Sequence, residues 1–334
     1  MNAVQRERKR YTNMPSFAVF GATGQTGGPI AKALRDAGVP YRAVARNRAA
    51  LETRFADDPL AEIVTWNPDE PESVKAAAAD IDTIFYAVGV PYDRFDLHPV
   101  LMQQTLEGAI SAGVQRIVLI SNVYLYGMPQ TTPVREDHPR EPHTFKGKMR
   151  KAQEDILFAA HASGDIEATV LRLPSFYGPN VARTFVVDAF LAAVQGRRAK
   201  LIGPIDTPRQ FVFVPDVGAI AVALAQEPRA YGSTWNFAGS GTITQREFVQ
   251  RIFAQVGSDP KFFVANKTML RILGVFNPLM RDLAEMQYLQ AHPIIMDDSA
   301  LHELLPGIKA TSYDDGIAQT LAAMKTTESA TKRA

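Results

Sequence analysis

The run Gly21-Ala22-Thr23-Gly24-Gln25-Thr26-Gly27 spaces three glycines three residues apart, between the apolar stretch Phe17-Ala18-Val19-Phe20 and a segment with helical spacing. Each glycine has a separate physical task. Gly21 permits a tight turn, Gly24 lets backbone approach a pyrophosphate, and Gly27 lets the helix pack closely on the strand. The helix that opens after Thr26 offers unpaired N–H groups and the positive end of its dipole to a phosphate. Thr23, Gln25 and Thr26 add polar contacts from the loop. A strand, this loop and a helix in succession point to a dinucleotide. The end of the second strand narrows the choice. An acidic residue there accepts hydrogen bonds from the adenosine ribose of NAD, but this chain has Ala45-Arg46-Asn47-Arg48. Arg46 suits a ribose 2′-phosphate, so NADP(H) is expected in preference to NAD(H).

Other chemistries are excluded or unsupported. The chain has 334 residues, no cysteine and a formal net charge of +1. Thiolate catalysis and cysteine-ligated metals are therefore ruled out, and a reducing, cytoplasmic location is expected. The near-neutral balance gives no basic surface for nucleic acid. No apolar run approaches the roughly 20 residues of a membrane span, so no membrane partner is expected. The six histidines are scattered, without an H-x-x-x-H pair on a helix, so no metal is expected either. No G-x-S-x-G hydrolase elbow occurs.

The elements that must position these residues alternate. Strands are expected at 17–20, 41–45, 62–65, 83–88, 116–120, 168–173, 211–214 and 235–237. Helices are expected at 27–37, 71–79, 100–112, 145–162, 184–195, 216–225 and 245–256, with 266–305 mostly helical between prolines. Such alternation implies an α/β fold, a doubly wound parallel sheet with helices on both faces. Residues 1–14, with Arg6, Arg8, Lys9 and Arg10, read as a flexible tail, and Met14 is an alternative start to Met1. Residues 326–334 read as a second tail.

Further motifs occur in order along the chain: Tyr86-Ala87-Val88-Gly89, Ser121-Asn122-Val123-Tyr124-Leu125-Tyr126-Gly127, Glu136-Asp137-His138-Pro139, Leu171-Arg172-Leu173-Pro174, Tyr177-Gly178-Pro179 and Phe211-Val212-Phe213-Val214-Pro215-Asp216-Val217. With the glycine loop, they make the chain resemble the extended short-chain dehydrogenase/reductase superfamily, in its NAD-dependent epimerase/dehydratase branch, from about 17 to about 325. The resemblance implies a Rossmann-type cofactor domain over 15–175, to which 209–238 returns. A smaller, mainly helical substrate domain would comprise 176–208 and 239–325. Ala87, Val88, Gly89 and Pro174 would line the cofactor. A small-molecule substrate would sit between the domains. Homodimers would form through 100–112 and 145–162.

The same resemblance exposes a departure. The superfamily uses Ser or Thr, a tyrosine, and a lysine four residues later, yet no tyrosine here has that lysine. Anchoring on Gly147 and Glu154 puts Lys146 at the tyrosine position and Arg150 at the lysine position. Anchoring on Tyr126-Gly127 puts Asn122 at the serine position. In one reading Lys146 is a substitute acid, placed in positive surroundings that favour giving up a proton. Arg150 would bond ribose hydroxyls, and Asn122 would polarise a substrate carbonyl. In the other, Lys146 and Arg150 form a solvated basic helix face, and the protein binds NADP(H) as a non-catalytic redox sensor or regulator. Tyr124 is a further donor candidate. Tyr126 reads as structural, and His138 and His143 as surface residues. The expectation is an atypical NADP(H)-dependent oxidoreductase with reversible hydride transfer at a carbonyl or alcohol carbon. The apolar residues Phe262, Phe263, Met269, Leu270, Phe276, Leu279 and Met280 read as core more than pocket, and tilt the substrate towards a less polar molecule than a nucleotide sugar.

Overall fold

In the computed structural model, which describes residues 16–331 apart from 182, 183 and 185, a seven-stranded parallel sheet carries the glycine loop. Its strands are β1 (Phe17–Phe20), β2 (Tyr41–Ala45), β3 (Ala61–Thr65), β4 (Thr83–Tyr86), β5 (Arg116–Asn122), β6 (Glu167–Leu173) and, after β7 (Ser175–Tyr177), β8 (Ala199–Ile202) and β9 (Pro208–Phe213), β10 (Thr234–Asn236). The spatial order is β10-β6-β5-β4-β1-β2-β3, the order of a doubly wound fold. Register is direct: Phe17 lies opposite Tyr41 on one side and Thr83 on the other.

Alternation along each strand feeds two cores. Phe17, Val19, Phe85, Val118, Ile120 and Leu171 face α1 (Gly27–Asp36), α2 (Arg48–Phe55) and, later in the chain, α7 (Val214–Gln226). Ala18, Phe20, Ile84, Tyr86, Ile117 and Val170 face α3 (Pro71–Ala78), α4 (Leu97–Ala112) and α5 (Phe145–Ala162). Burial of both faces explains why these strands read as continuous apolar runs. At the α1–α7 crossing Gly218 is a steric requirement, because a Cβ there would collide with the Pro29 carbonyl.

The chain leaves the sheet after β6 and builds a second core. Here α6 (Val187–Gln195), α8 (Gln245–Gln255) and α13 (Tyr313–Thr331) surround a small sheet of β7, β9 and β11 (Thr242–Thr244). Tyr177, Phe190, Phe211, Phe213, Phe248 and Tyr313 pack ring on ring within it. Strand β8 pairs with β12 (Phe262–Ala265). Between that pair and α13 lie α9 (Lys267–Gly274), α10 (Pro278–Met286), α11 (Tyr288–Ala291) and α12 (Ser299–Leu304).

Several expectations need correction. Four short strands (β7, β8, β11 and β12) are absent from the sequence reading. Helix α4 begins at Leu97 rather than 100, since Pro99 sits in the first turn, where it needs no intrahelical donor. Helix α13 runs to Thr331, through most of the segment read as a C-terminal tail. The expected N-terminal tail, residues 1–14, lies outside the described residues. Of the apolar residues assigned to the C-terminal core, Leu270 is buried, but Phe263 and Phe276 are exposed.

Candidate active site

The glycine loop has the geometry its spacing implies. Gly21 has φ +86°, donates its N–H to Val44 O at 2.8 Å, and approaches Ala87 so closely that a Cβ would lie 2.5 Å from that carbonyl. A Cβ on Gly27 would collide with Gly21 O. Gly24 is less confined: its Cβ would meet Gly21 O at 3.0 Å and Ala87 O at 3.7 Å. Thr26 ends the loop without capping α1 through its side chain. Ala87 and Val88 are buried under the loop, while Gly89 is open. Pro174 is buried where the chain leaves β6.

Three arginines surround this cradle. Arg46 is exposed just beyond β2, and Arg48 pairs with Glu52 at 2.7 Å. Arg54 escaped the sequence reading. From α2 it donates to Thr23 O at 3.0 Å and lays its guanidinium over Gly28, which has no side chain to obstruct it. Burial lowers its pKa.

The catalytic-position residues converge at the carboxyl ends of β4 and β5. Asn122 ends β5. Its Oδ1 accepts from Tyr124 N–H at 3.0 Å and caps the short 3-10 turn Val123–Tyr126, which leaves its amide NH2 as a donor. The Tyr124 ring stacks on Phe95 at 6.2 Å. Burial raises its pKa, with Tyr92 and Arg150 opposing, so the phenol is a donor and not a base at neutral pH. Tyr126 is structural, as expected. Its hydroxyl accepts from Arg172 at 2.7 Å and donates to Asn236 Oδ1 at 2.9 Å.

Thr144 caps α5 by accepting from Gly147 N–H, which sets the first turn that carries Lys146. Lys146 is 2% exposed. Its Nζ lies 3.2 Å from Asp282 and 3.4 Å from Glu285, both on α10, and 4.6 Å from the Tyr92 ring centre. Glu285 also accepts from Phe145 N–H at 2.6 Å, at the positive end of α5. Arg150, one turn on, is 5% exposed. It donates to Gln153 Oε1 (2.7 Å), Ile120 O (3.0 Å) and His98 Nδ1 (3.3 Å). A guanidinium only donates, so His98 accepts through a bare Nδ1. Burial brings Arg150 down to about 10, and burial with Arg150 nearby brings His98 down to about 2.

Three sequence readings need correction. Lys146 and Arg150 do not form a solvated basic face, because helix α10 and the sheet cover them. Nor are the surroundings of Lys146 purely positive, because α10 supplies two carboxylates. Arg150 turns three of its hydrogen bonds inward to the protein; its Nε is the buried nitrogen without a partner. His138 is buried, not on the surface: its Nε2 accepts from Gln130 N–H at 2.9 Å. His143 is exposed, with its ring 4.5 Å from Tyr288.

Beneath α5 lies a buried pair. Arg172 meets Glu154 at 2.8 Å, and Glu154 also accepts from Ser121 at 2.6 Å. This ties α5 to β5 and β6 and fixes the level of Lys146. Tyr92, against the lysine, and Tyr288, against His143, keep their hydroxyls buried, within reach of Tyr124 and Thr144 respectively. Arg209, also missed by the sequence reading, is 5% exposed on β9. Its partners are neutral: Gln290 through side chain and carbonyl, and Thr207. Burial brings it down to about 10, and no carboxylate among the described residues pairs with it. Helix α11 connects the two places, with Tyr288 beside His143 and Gln290 on Arg209. No group of three potential metal ligands occurs among the described residues.

Sheet order and glycine loop together define a Rossmann-type dinucleotide-binding protein. Residues 17–238 match the model of the NAD dependent epimerase/dehydratase family, and the chain belongs to that family. It is 25% identical over 274 residues to a UDP-glucose 4-epimerase of Azospirillum brasilense, covering 73% of this chain and 78% of that one. It is 28% identical over 263 residues to a dTDP-6-deoxy-L-talose 4-dehydrogenase (NAD(P)(+)) of Kitasatospora kifunensis, covering 74% and 81%. In fold it is similar to a dTDP-glucose 4,6-dehydratase from Bacillus anthracis in complex with NAD, with TM-score 0.77, 14% identity and coverage of 94% and 98%. It is also similar to a UDP-glucuronic acid 4-epimerase from Bacillus cereus in complex with UDP-glucuronic acid and NAD, with TM-score 0.76, 16% identity and coverage of 93% and 99%. No helix among the described residues is long and apolar enough to cross a membrane.

Proposed function

We propose that this protein is an NADP(H)-dependent oxidoreductase that interconverts a carbonyl and an alcohol on a nucleoside diphosphate sugar, with Lys146 as the proton donor and acceptor. The observation that carries the reading is Lys146 itself: an ammonium buried at the start of α5, between aromatic rings and two carboxylates, which the register from Gly147 and Glu154 would set at the family's tyrosine position. The bound nicotinamide supplies or accepts the hydride. Lys146 gives a proton to the substrate oxygen in reduction and takes it back in oxidation. Asp282 and Glu285 hold the ammonium in place and stabilise it after each return. Asn122, with its amide NH2 free, and Tyr124 donate to the same oxygen or its neighbour. Arg150 acts through position, bracing α5 against Ile120 and His98.

Relatives whose names specify UDP- and dTDP-sugars favour that substrate class, over the less polar molecule suggested by composition. Arg209 supports it, since a buried guanidinium with only neutral partners suits a diphosphate. Arg46 and Arg54 beside the glycine loop support NADP(H). A homodimer through α4 and α5 is consistent with the half-exposed Val100 and Ile110 on α4.

The test is a titration with NADPH and with NADH, then oxidation assays over 4-keto nucleotide sugars and simple carbonyl compounds, for wild type and Lys146→Met. The expected result is tighter NADPH binding, turnover on a nucleotide sugar, and a fall in kcat of about a hundredfold or more in the variant with cofactor affinity preserved. Turnover unaffected by the substitution overturns the role of Lys146. Tight binding without turnover on any class selects the redox-sensor reading.

A further inference from the structure

Helices α9 and α10 form a hairpin that closes tightly at Gly274, where a Cβ would come within 3.0 Å of the Arg281 backbone. Its inner side holds Lys146 through Asp282 and Glu285. Its outer side is unlike the rest of the surface. Ile272 (61% exposed), Leu273 (49%), Val275 (76%) and Phe276 (87%) project within five residues, while α9 buries Leu270 alone. Four cations in the same stretch, Lys261, Lys267, Arg271 and Arg281, are exposed, and none forms an ion pair among the described residues. The segment 261–286 contains two acidic residues, and both are turned inward onto Lys146. An apolar tip flanked by the unpaired Arg271 and Arg281, with the two acidic residues of 261–286 turned inward, is complementary to an anionic lipid surface. Apolar side chains enter the headgroup boundary while lysine and arginine meet lipid phosphates. A second copy of the chain fits poorly, because a twofold contact through this tip would set the same cations against each other.

We propose that the tip of the α9–α10 hairpin docks this protein peripherally on an anionic lipid bilayer. The contact needs no spanning segment. It places the cover of the Lys146 site at the membrane face.

The test is flotation of the full chain with vesicles of phosphatidylcholine alone and of phosphatidylcholine mixed with phosphatidylglycerol. Wild type is expected to float with the mixed vesicles, less so as salt rises, and to stay behind with phosphatidylcholine alone. The exposed pair Val275→Ser and Phe276→Ser keeps the net charge and should weaken binding about tenfold or more. Arg271→Gln with Arg281→Gln should weaken it comparably. Circular dichroism and thermal unfolding confirm that both variants are folded. Three outcomes overturn the proposal. One is the absence of anionic selectivity. Another is unchanged binding in the serine pair, which would shift the attraction to Arg6, Arg8, Lys9 and Arg10. The third is concentration-dependent self-association that the serine pair abolishes, which would make the tip a contact between copies.

Discussion

Neutralising Asp282 and Glu285 together, as Asp282→Asn with Glu285→Gln, should destabilise the protein through Lys146. At 3.2 Å and 3.4 Å from Nζ, and an effective dielectric near 20, each carboxylate attracts the ammonium by about 5 kcal/mol before desolvation is counted. Breaking a fully buried pair typically costs about 3–5 kcal/mol. The carboxylates here are 16% and 28% exposed, against 3% for the lysine, so solvent screening reduces the expected loss to about 2–4 kcal/mol. Lys146→Met added to the double substitution removes the stranded cation and should recover most of that loss, since an apolar chain replaces a desolvated charge. Urea unfolding of wild type, Lys146→Met, the carboxylate pair and the combined variant closes a cycle. A coupling of about 2 kcal/mol or more is expected; additivity within about 0.5 kcal/mol refutes the idea that α10 holds the lysine electrostatically. The enzymatic counterpart is a fall in kcat for the carboxylate pair with NADPH affinity unchanged.

Glu154→Gln leaves Arg172 buried beside a neutral partner and should cost about 3–5 kcal/mol by chemical unfolding, most of it regained in Glu154→Gln with Arg172→Met; near-equal stability of the single variant and wild type would contradict the assigned role. His98 is held at about 2 when folded and titrates near 6.5 when unfolded. The unfolded chain therefore takes up one more proton between those values, and acidification below about pH 6.5 should cost about 1.4 kcal/mol per pH unit through this residue alone. Subtracting the His98→Gln stability profile from wild type should expose that slope, and parallel profiles would remove His98 as its source. Arg46→Ser should weaken NADPH about tenfold to a hundredfold, the range of a charged hydrogen bond, while sparing NADH; equal effects on both would end the 2′-phosphate assignment.

Sequence spacing made the cofactor half legible because each signal there is local. Gly21 and Gly27 answer collisions with atoms a few residues away or on the adjoining strand, and the strands that carry them are buried on both faces. For Lys146, Arg150 and Asn122 the sequence offered a register, taken from neighbouring Gly147, Glu154 and Tyr126, and the structure shows them buried or half-buried near one another. Their environment was not. Asp282 and Glu285 lie 136 and 139 residues beyond Lys146 in an amphipathic helix whose spacing predicts only a helix. Arg209 looks like any strand arginine until Gln290, 81 residues on, is found opposite it. Arg54 likewise gains meaning only when α2 folds back onto the loop. The hairpin tip misled in the other direction: apolar residues in number suggest a core, and only the three-dimensional arrangement shows that no described residue covers them.

The order in which the chain leaves the ribosome gives the Lys146 clamp another meaning. The glycine loop and the central strands β1, β4 and β5 are synthesised within the first 122 residues, and Lys146 comes soon after. Its two carboxylates emerge only once α10 has been made. A nascent or prematurely terminated chain would thus present an uncapped lysine beside a nearly finished dinucleotide cradle. Synthesis of α10, more than 130 residues after Lys146, completes the charge balance of a site whose framework was laid down well before it.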